Sequence, residues 1–593
     1  MTSSDPAGVM SSIAIRRLSA TSFKSNALPS MRRALAAGGA ILRLRSETGS
    51  LEVIVEALDL QDLPALRLQA DRGRMRLVIG DASQLEIFNP GECYANLLQV
   101  DVDLRLGQIL CSTSLVGLPP VFLHESAGGS TLAAPLLPDR VHWHAPGGVD
   151  VQAAADVLRW GHPIDGRTLA RNLRLAPVAA RVLLAEDGLQ ITRLPAAQRN
   201  LTRASAANGD IMEQQIAAFV RAAKRLNLSK AFLSLSGGLD SRAVAVAMLA
   251  TGRPIMCVTL ARDHRSLDAQ LAVAFCKAYG ATHQTILTGA AFRYELAERV
   301  VRSAELTLGV SALSQSVDLY LYEQMGTNHR SRISGNLGNQ VGRGGVESVT
   351  ASEHPEEIFS PELQRALRER PVEPWYVERM RSRGFSQTLF TEEVNYWSIP
   401  NYVLGSAHAL QLTPYADSRL IRLASELFAT FEELTAPTAQ SIRRRDLRHR
   451  LAGPPLAQSF QRSFLRRVDL SGKDVAINWG WLSRGGWSPR WLARALPTAA
   501  SAGLSKLAPR LQRAWHALPP FGLVDWPTLL KEDLRDLTHD CLASEAVRSS
   551  GLFDNEKMAR LLERHFRGIE SNHGTVARAL EIGLACMVLA RRD

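Results

Sequence analysis

Residues 231–249 read AFLSLSGGLDSRAVAVAML. An apolar, strand-forming run meets an apolar, helix-forming run, and between them stands Ser236-Gly237-Gly238-Leu239-Asp240-Ser241. A strand that turns through two glycines into a helix gathers backbone N–H groups and the positive end of the helix dipole at one spot, which suits a phosphate. Ser236 and Ser241 add hydroxyl donors. Asp240 would repel a bare phosphate but suits a Mg2+ that bridges phosphates. A plainer reading is a glycine turn with Asp240 or Ser241 capping the helix, which needs no ligand. The complete six-residue string at a strand-to-helix junction favours nucleotide, and the GK[ST] ending of a Walker loop is absent.

The surroundings alternate. Residues 210–226 carry Ile211, Ile216, Phe219 and Val220 at helical spacing behind an acidic start. After AFLSL come a helix from Arg242 to Ala250, the strand PIMCVTL (254–260), a helix over 266–280 closed by Gly280, and the strand HQTIL (283–287). Such alternation predicts a parallel sheet covered on both faces, with ligands in the crevice at the carboxyl ends of its strands. Upstream, short strands broken by Gly, Pro, Asp and Asn (SSIAIRRL, GAILRLR, LEVIVEAL, RMRLVIG, QILCSTSLVG, PVFLHE) predict an antiparallel β-rich layer structure up to about residue 200. From about 290 onward the chain reads as mostly helical. Six of its ten tryptophans (Trp479, Trp481, Trp487, Trp491, Trp515, Trp526) crowd into 470–540, where anchoring a core or junction is the plainer role and stacking a peptide or base the alternative.

Composition bounds the rest. At about 150 residues per domain, 593 residues allow about four units. With 46% hydrophobic and 21% charged residues, wholesale disorder and collagen-like repeats are excluded. The net charge of +11, mostly arginine, is spread too thinly to mark a dedicated nucleic-acid binder. The six cysteines include no CxxC or Cys/His ligand spacing, so reduced thiols in the cytoplasm are expected. No run reaches the roughly 18–20 apolar residues of a membrane span, and no secretory h-region opens the chain. A cytoplasmic enzyme acting on neither nucleic acid nor membrane is the expectation.

SGGLDS at this position resembles the pyrophosphate loop of the asparagine synthetase family, ATP-dependent amide-forming enzymes that cut ATP between its α- and β-phosphates. The resemblance continues through residues 254–283, with Asp268 twelve positions before Gly280, through SRISGNLGNQVGRGG (331–345), similar to the family's third nucleotide loop, and through LTPYADSRLI (412–421), similar to its Pro-x-x-Asp segment at Pro414 and Asp417. It covers about 205–430 well and the C-terminal helices loosely. It implies a PP-loop ATP pyrophosphatase α/β domain over 205–593 with a helical extension, and ATP and Mg2+ as cofactors. Leu235 and Thr259 would border adenine and ribose, Ser236, Gly237, Gly238, Leu239, Asp240 and Ser241 would form the pyrophosphate loop, Ser334 and Gly335 would contact the nucleotide, and Asp240 would hold the metal and be the catalytic residue.

The sequence departs from the family in three places. The Asp-Glu pair of the third loop is replaced by Asn339 and Gln340; the Asn339 amide oxygen can ligate Mg2+ but brings no charge, so the second metal ligand is otherwise missing, replaced by water or supplied from elsewhere. The family's later lysine has no clear match: residues 456–470, LAQSFQRSFLRRVDL, offer Arg462, Arg466 and Arg467. A basic run, RRRDLRHR (443–450), reads most simply as a solvated helix, with a pyrophosphate or acidic-peptide contact as the alternative.

Residues 1–200 resemble the family's glutaminase domain, an N-terminal-nucleophile (Ntn-hydrolase) β-rich sandwich, through 109–136 and 161–184. A working glutaminase starts with Cys, whereas this chain begins Met1-Thr2-Ser3-Ser4, so the domain is expected to be inactive, Thr2 being a poor nucleophile candidate ahead of a coil. The amine would then arrive on the substrate. Members with a disabled glutaminase domain include lasso peptide cyclases and β-lactam synthetases, and the altered third loop, the tryptophans and the arginines suit a peptide-sized substrate. The expectation is a lasso-type macrolactam synthetase that adenylates an Asp or Glu side chain of a precursor peptide and joins it to the N-terminal amine, with a leader peptidase and a leader-binding protein as partners. An ammonia-dependent asparagine synthetase, a small-molecule lactam synthetase and a non-catalytic nucleotide- or precursor-binding scaffold are the alternatives. Tyr402, Tyr415, Glu347 and Glu426 are all conceivable aminolysis bases, and spacing chooses none.

Overall fold

The computed structural model describes residues 11–17, 40–45, 51–57, 66–71, 74–80, 97–103, 106, 108–126, 129–134, 148–185, 188–194, 211–226, 230–326, 328–329, 331–344, 352, 354–369, 375–432, 459–468, 523–570 and 572–591. Thr2, Glu347, residues 443–450 and every tryptophan of the 470–540 segment except Trp526 lie outside them. Trp526 opens the helix Trp526–Lys531 and packs half-buried on a core.

The N-terminal part supplies twelve strands: β1 (Ser11–Arg17), β2 (Ala40–Arg45), β3 (Leu51–Ala57), β4 (Leu66–Asp71), β5 (Arg74–Gly80), β6 (Leu97–Asp103), β7 (Gln108–Ser112), β8 (Phe122–Ser126), β9 (Gly129–Ala134), β10 (Leu173–Leu175), β11 (Ala180–Ala185) and β12 (Gly188–Arg193). They form two six-stranded sheets, ordered β10-β8-β9-β1-β3-β2 and β12-β11-β7-β6-β5-β4, antiparallel throughout. Alternation sets the faces: in β7, Ile109 and Cys111 are buried while Gln108, Leu110 and Ser112 are half-exposed. Helix α1 (Val151–Trp160) starts at Asp150, whose carboxylate accepts from the Ala153 N–H.

A second layer system begins with α2 (Ile211–Arg225), which buries Ile216 and Phe219 and carries Glu213 in its first turn and Lys224 and Arg225 in its last, matching the helix dipole. Five parallel strands follow, β13 (Ala231–Ser234), β14 (Met256–Ala261), β15 (His283–Leu287), β16 (Ser331–Ile333) and β17 (Leu410–Leu412), in the order β15-β14-β13-β16-β17. Interleaved with them are α3 (Leu239–Ala250), α4 (Leu267–Tyr279), α5 (Leu296–Thr307), α6 (Ala312–Met325), α7 (Gly338–Arg343) and α8 (Val394–Ser406), and after them α9 (Ser418–Glu432), α10 (Ser459–Val468) and α11 (His573–Ala590).

The two faces of this sheet enter different cores. Leu233, Cys257, Ile333 and Leu412 pack with α2, α3, α9 and α10, whereas Phe232, Val258 and Ile286 pack with α5, α6 and α11. Both faces are therefore covered, which explains the near-continuous apolar runs of β13 and β14. Helix α3 is apolar on all sides because it is buried on all sides. The N-terminal part shares these cores: Leu115, Val116, Trp160 and Ile164 lie in the first, Phe122 and Leu173 in the second. Helix α11, with a mean hydropathy of 1.3, is the one described helix long and apolar enough to cross a membrane, and it is mostly buried, sending Leu580 and Leu584 into the second core and Val576 and Ile582 into a third, shared with α1.

Two differences from the sequence reading concern the site. Helix α3 starts at Leu239, not Arg242, because Gly238 is extended (φ −78°, ψ 166°) and the chain turns helical directly after it. Asp240 and Ser241 thus stand in the first turn. Strands β16 and β17, which extend the sheet beyond β13, have only three residues each.

Candidate active site

Strand β13 lies where the strand order reverses, with β14 and β15 on one side and β16 and β17 on the other. The loops after β13 and β16 therefore face each other at the carboxyl end of the sheet, the position of ligands in open α/β sheets. They touch. A Cβ built on Gly335 would lie 2.6 Å from the Ser241 nitrogen, and one built on Gly338 would lie 2.6 Å from Asp240 Cβ and 2.9 Å from its Oδ1. Only glycine permits this approach, so the SGNLG segment is shaped to fit against Asp240-Ser241.

The first loop folds onto its own helix. The Ser236 N–H donates to Ser241 Oγ (3.0 Å), the two hydroxyls are 3.0 Å apart, and the Gly238 N–H donates to Ser236 Oγ (3.2 Å). No side chain caps α3. The capping alternative is thus not what the structure shows: Ser241 turns back to the loop, and the Asp240 carboxylate turns to Gln461. A helix start of this kind offers backbone donors to an anion.

A second carboxylate joins the loop. Asp268, in the first turn of α4, accepts from the Gly237 N–H at 2.8 Å. Leu235 is held from the side: its N–H donates to the Val258 carbonyl (2.8 Å), and its own carbonyl accepts from Thr259 Oγ1 (2.8 Å). That hydroxyl proton being spent, His283 Nε2, 2.9 Å away, must donate to Thr259, and burial lowers the pKa of His283. Leu235 and Thr259 are both buried, and the Leu235 N–H and carbonyl and the Thr259 hydroxyl are spent within the sheet rather than presented to the loop. Arg242, next to Ser241, is fully buried over the Phe275 ring, and desolvation pushes its pKa down to about 10.

In the third loop the Ser334 N–H donates to the Leu412 carbonyl (3.0 Å), and the Asn336 carbonyl accepts from Thr413 Oγ1 (2.9 Å). Asn339 and Gln340 occupy the first turn of α7 directly after Gly338, Asn339 half-buried and Gln340 buried. The Pro-x-x-Asp segment is structural here. Asp417 accepts from Arg225 (2.7 Å) and caps α9 through the Leu420 N–H (3.0 Å). Tyr415 is buried and donates to the Asp240 carbonyl (3.3 Å), and burial, reinforced by Asp240, pushes its phenol pKa well up. A phenol held protonated in this way is no ready base.

Sequence reasoning missed Gln461. Its Nε2 donates to Asp240 Oδ1 (2.7 Å) and to the Gly338 carbonyl (2.8 Å), joining the first and third loops from α10. A signal was present: Phe460, Gln461, Phe464 and Leu465 form one buried helical face, and Gln461 is the polar residue in it. Of the arginines on α10, Arg462 is buried and Arg467 pairs with Glu213 on α2.

No curated protein matches the chain. A solved structure, the NMN synthetase from Francisella tularensis, aligns over 44% of this chain and 95% of its own at 15% identity and a TM-score of 0.17, a likeness too slight to carry an argument. Residues 224–447, the stretch that holds the parallel sheet and both facing loops, match the asparagine synthase family.

Proposed function

We propose that the chain is an ATP-dependent amide-forming ligase that adenylates a carboxylate and passes it to an amine, releasing AMP and pyrophosphate, with Asp240 at its centre. The observation that carries the reading is the close seating of the SGNLG loop on Asp240-Ser241 at the reversal of the parallel sheet. The same loop suits ATP as co-substrate: the Ser236 and Ser241 hydroxyls stand 3.0 Å apart beside the first turn of α3, whose backbone N–H groups suit a phosphate. It suits Mg2+ as an ion carried with phosphates, which is usually held by one or two protein carboxylates, here Asp240 and Asp268. Among the described residues no three His, Cys, Asp or Glu side chains gather into a resident metal cage. Mg2+ would supply charge neutralisation at the departing pyrophosphate.

The protein's own part is electrostatic. Ser236 and Ser241 would exchange their internal hydrogen bonds for phosphate oxygens beside the first-turn N–H groups of α3, and Asp240 and Asp268 are the carboxylates that would hold the cation. The attacking carboxylate would approach at the carboxyl end of the sheet, and an amine would then displace AMP.

For the substrate we favour a precursor peptide whose Asp or Glu side chain is closed onto its own N-terminal amine, as in the lasso cyclases. The peptide-sized reading rests on Asn339 and Gln340 in place of the family's acidic pair, on the tryptophans of 470–540 and on the arginine-rich stretch 443–450. The division into residues 1–200, a silent glutaminase-like half, and 205–593, the synthetase half, belongs to the same proposal, as do cytoplasmic location and the leader peptidase and leader-binding partners. Asn339 and Gln340 also motivate the second reading, a non-catalytic scaffold. Co-expression with a precursor peptide separates the two. The ligase removes the mass of one water from the peptide and Asp240→Ala does not; no mass change with the unaltered protein across Asp- and Glu-bearing precursors defeats the macrolactam reading.

A further inference from the structure

We propose that Gln461 is a positioning residue of the nucleotide site: its side-chain amide, bridging the Asp240 carboxylate and the Gly338 carbonyl, sets the register in which the first and third loops receive Mg-nucleotide. The inference rests on the ATP-ligase reading above and extends it to α10, a helix beyond the stretch that matches the family.

The geometry fixes the orientation of the amide. Both partners, Asp240 Oδ1 at 2.7 Å and the Gly338 carbonyl at 2.8 Å, are acceptors, so the end that meets them must be the NH2. Gln461 is fully buried, and its Oε1 has no hydrogen-bond partner. A buried acceptor left unpaired is costly, so the side chain's favourable contribution here comes from its two donors. Its surroundings are cut to it: a Cβ on Gly342 would lie 2.1–2.5 Å from the amide atoms, which only glycine avoids. The helix is pinned on either side by Phe460 and Phe464, whose rings lie 5.4 and 5.1 Å from that of Phe219 on α2. Gln461 thus has little freedom. Asp240, which the reading makes a cation ligand, is held by a donor on a rigid element.

A residue that merely packs would leave the magnesium dependence of nucleotide binding unchanged, whereas a residue that sets Asp240 would not. The test is calorimetric titration of the full-length protein with a non-hydrolysable ATP analogue at several Mg2+ concentrations, alongside thermal melts, for the unaltered protein, Gln461→Met, Gln461→Asn and Gln461→Glu. Gln461→Met keeps the bulk and removes the donors, and nucleotide affinity is expected to fall about 10- to 100-fold, the worth of a hydrogen bond to a charged group, without recovery at high Mg2+. Gln461→Glu sets a carboxylate against Asp240 and a carbonyl, so binding falls at low Mg2+ and returns as Mg2+ rises. Should Gln461→Met not fold, Gln461→Asn, which keeps the amide one methylene short, decides by the same titration. Unchanged affinity and unchanged Mg2+ dependence in the folded variants, with the unaltered protein binding normally, overturn the inference alone. Failure of the folded, unaltered protein to bind Mg-nucleotide sinks the ATP-ligase reading and this inference with it.

Discussion

Replacing Gly338 by alanine tests the contact on which the site is built. The added Cβ would stand 2.6 Å from Asp240 Cβ, 2.7 Å from its Cγ and 2.9 Å from its Oδ1. An ordinary carbon–carbon contact is roughly 3.5 Å or more, so the Asp240 side chain or the third loop must retreat by about 1 Å. Neither has an easy direction: Gln461 holds both Asp240 and Gly338 from one side, and Tyr415 holds the Asp240 backbone from another. Overpacking of this kind costs about 1–3 kcal/mol of stability, and a shift of about 1 Å in a reacting group costs on the order of 100-fold in rate. Gly338→Ala should therefore fold with a lowered melting temperature and lose on the order of 100-fold in ATP-dependent turnover. Gly574→Ala is the control, since nothing lies within 4 Å of its Cβ position and it sits in the first turn of α11. Thermal melts and an AMP-release assay on both variants read the outcome. A Gly338→Ala protein that turns over ATP like the unaltered one would refute the reasoning, because the two loops would then not be seated as described.

Phe219→Ala removes the ring against which Tyr415, Phe460 and Phe464 pack, and should cost about 3–5 kcal/mol by urea denaturation; a loss under 1 kcal/mol would show that α10 is not anchored through it. Stability should also fall as pH drops from about 6.5 toward 4: burial, with Arg578 adding to it, holds the His162 pKa at about 3, and burial, with Arg302 adding to it, holds His408 at about 4, against 6.5 for an ordinary histidine. Both stay neutral in the folded chain while the unfolded chain takes up protons, so acid favours unfolding. Melting temperatures across that range should decline, and His162→Gln should flatten the slope; an unaltered slope would remove His162 as a contributor.

What could be read in the sequence was what neighbouring residues determine. SGGLDS lies between a strand and a helix whose patterns are local, and the alternation from 211 to 287 needed only periodicity. The antiparallel character of the N-terminal strands was legible in the same way, but not their order, because β1 pairs with β3 and β9 across long stretches of chain. Strands β16 and β17 were missed because SRI and LQL are too short for any period, and register against β13 makes them strands. Asp417 drew attention as part of a motif, yet its carboxylate pairs with Arg225, 192 residues away in sequence. Gln461 is 221 residues from Asp240, and only tertiary packing brings it there.

The most direct test of the central claim is the fate of the nucleotide. ATP labelled at the α-phosphate, incubated with Mg2+, the protein and candidate carboxylate and amine substrates, should yield AMP, with pyrophosphate in equal amount, and Asp240→Ala should yield neither. Labelled ADP as the product, or AMP formed equally by both proteins, would contradict the account.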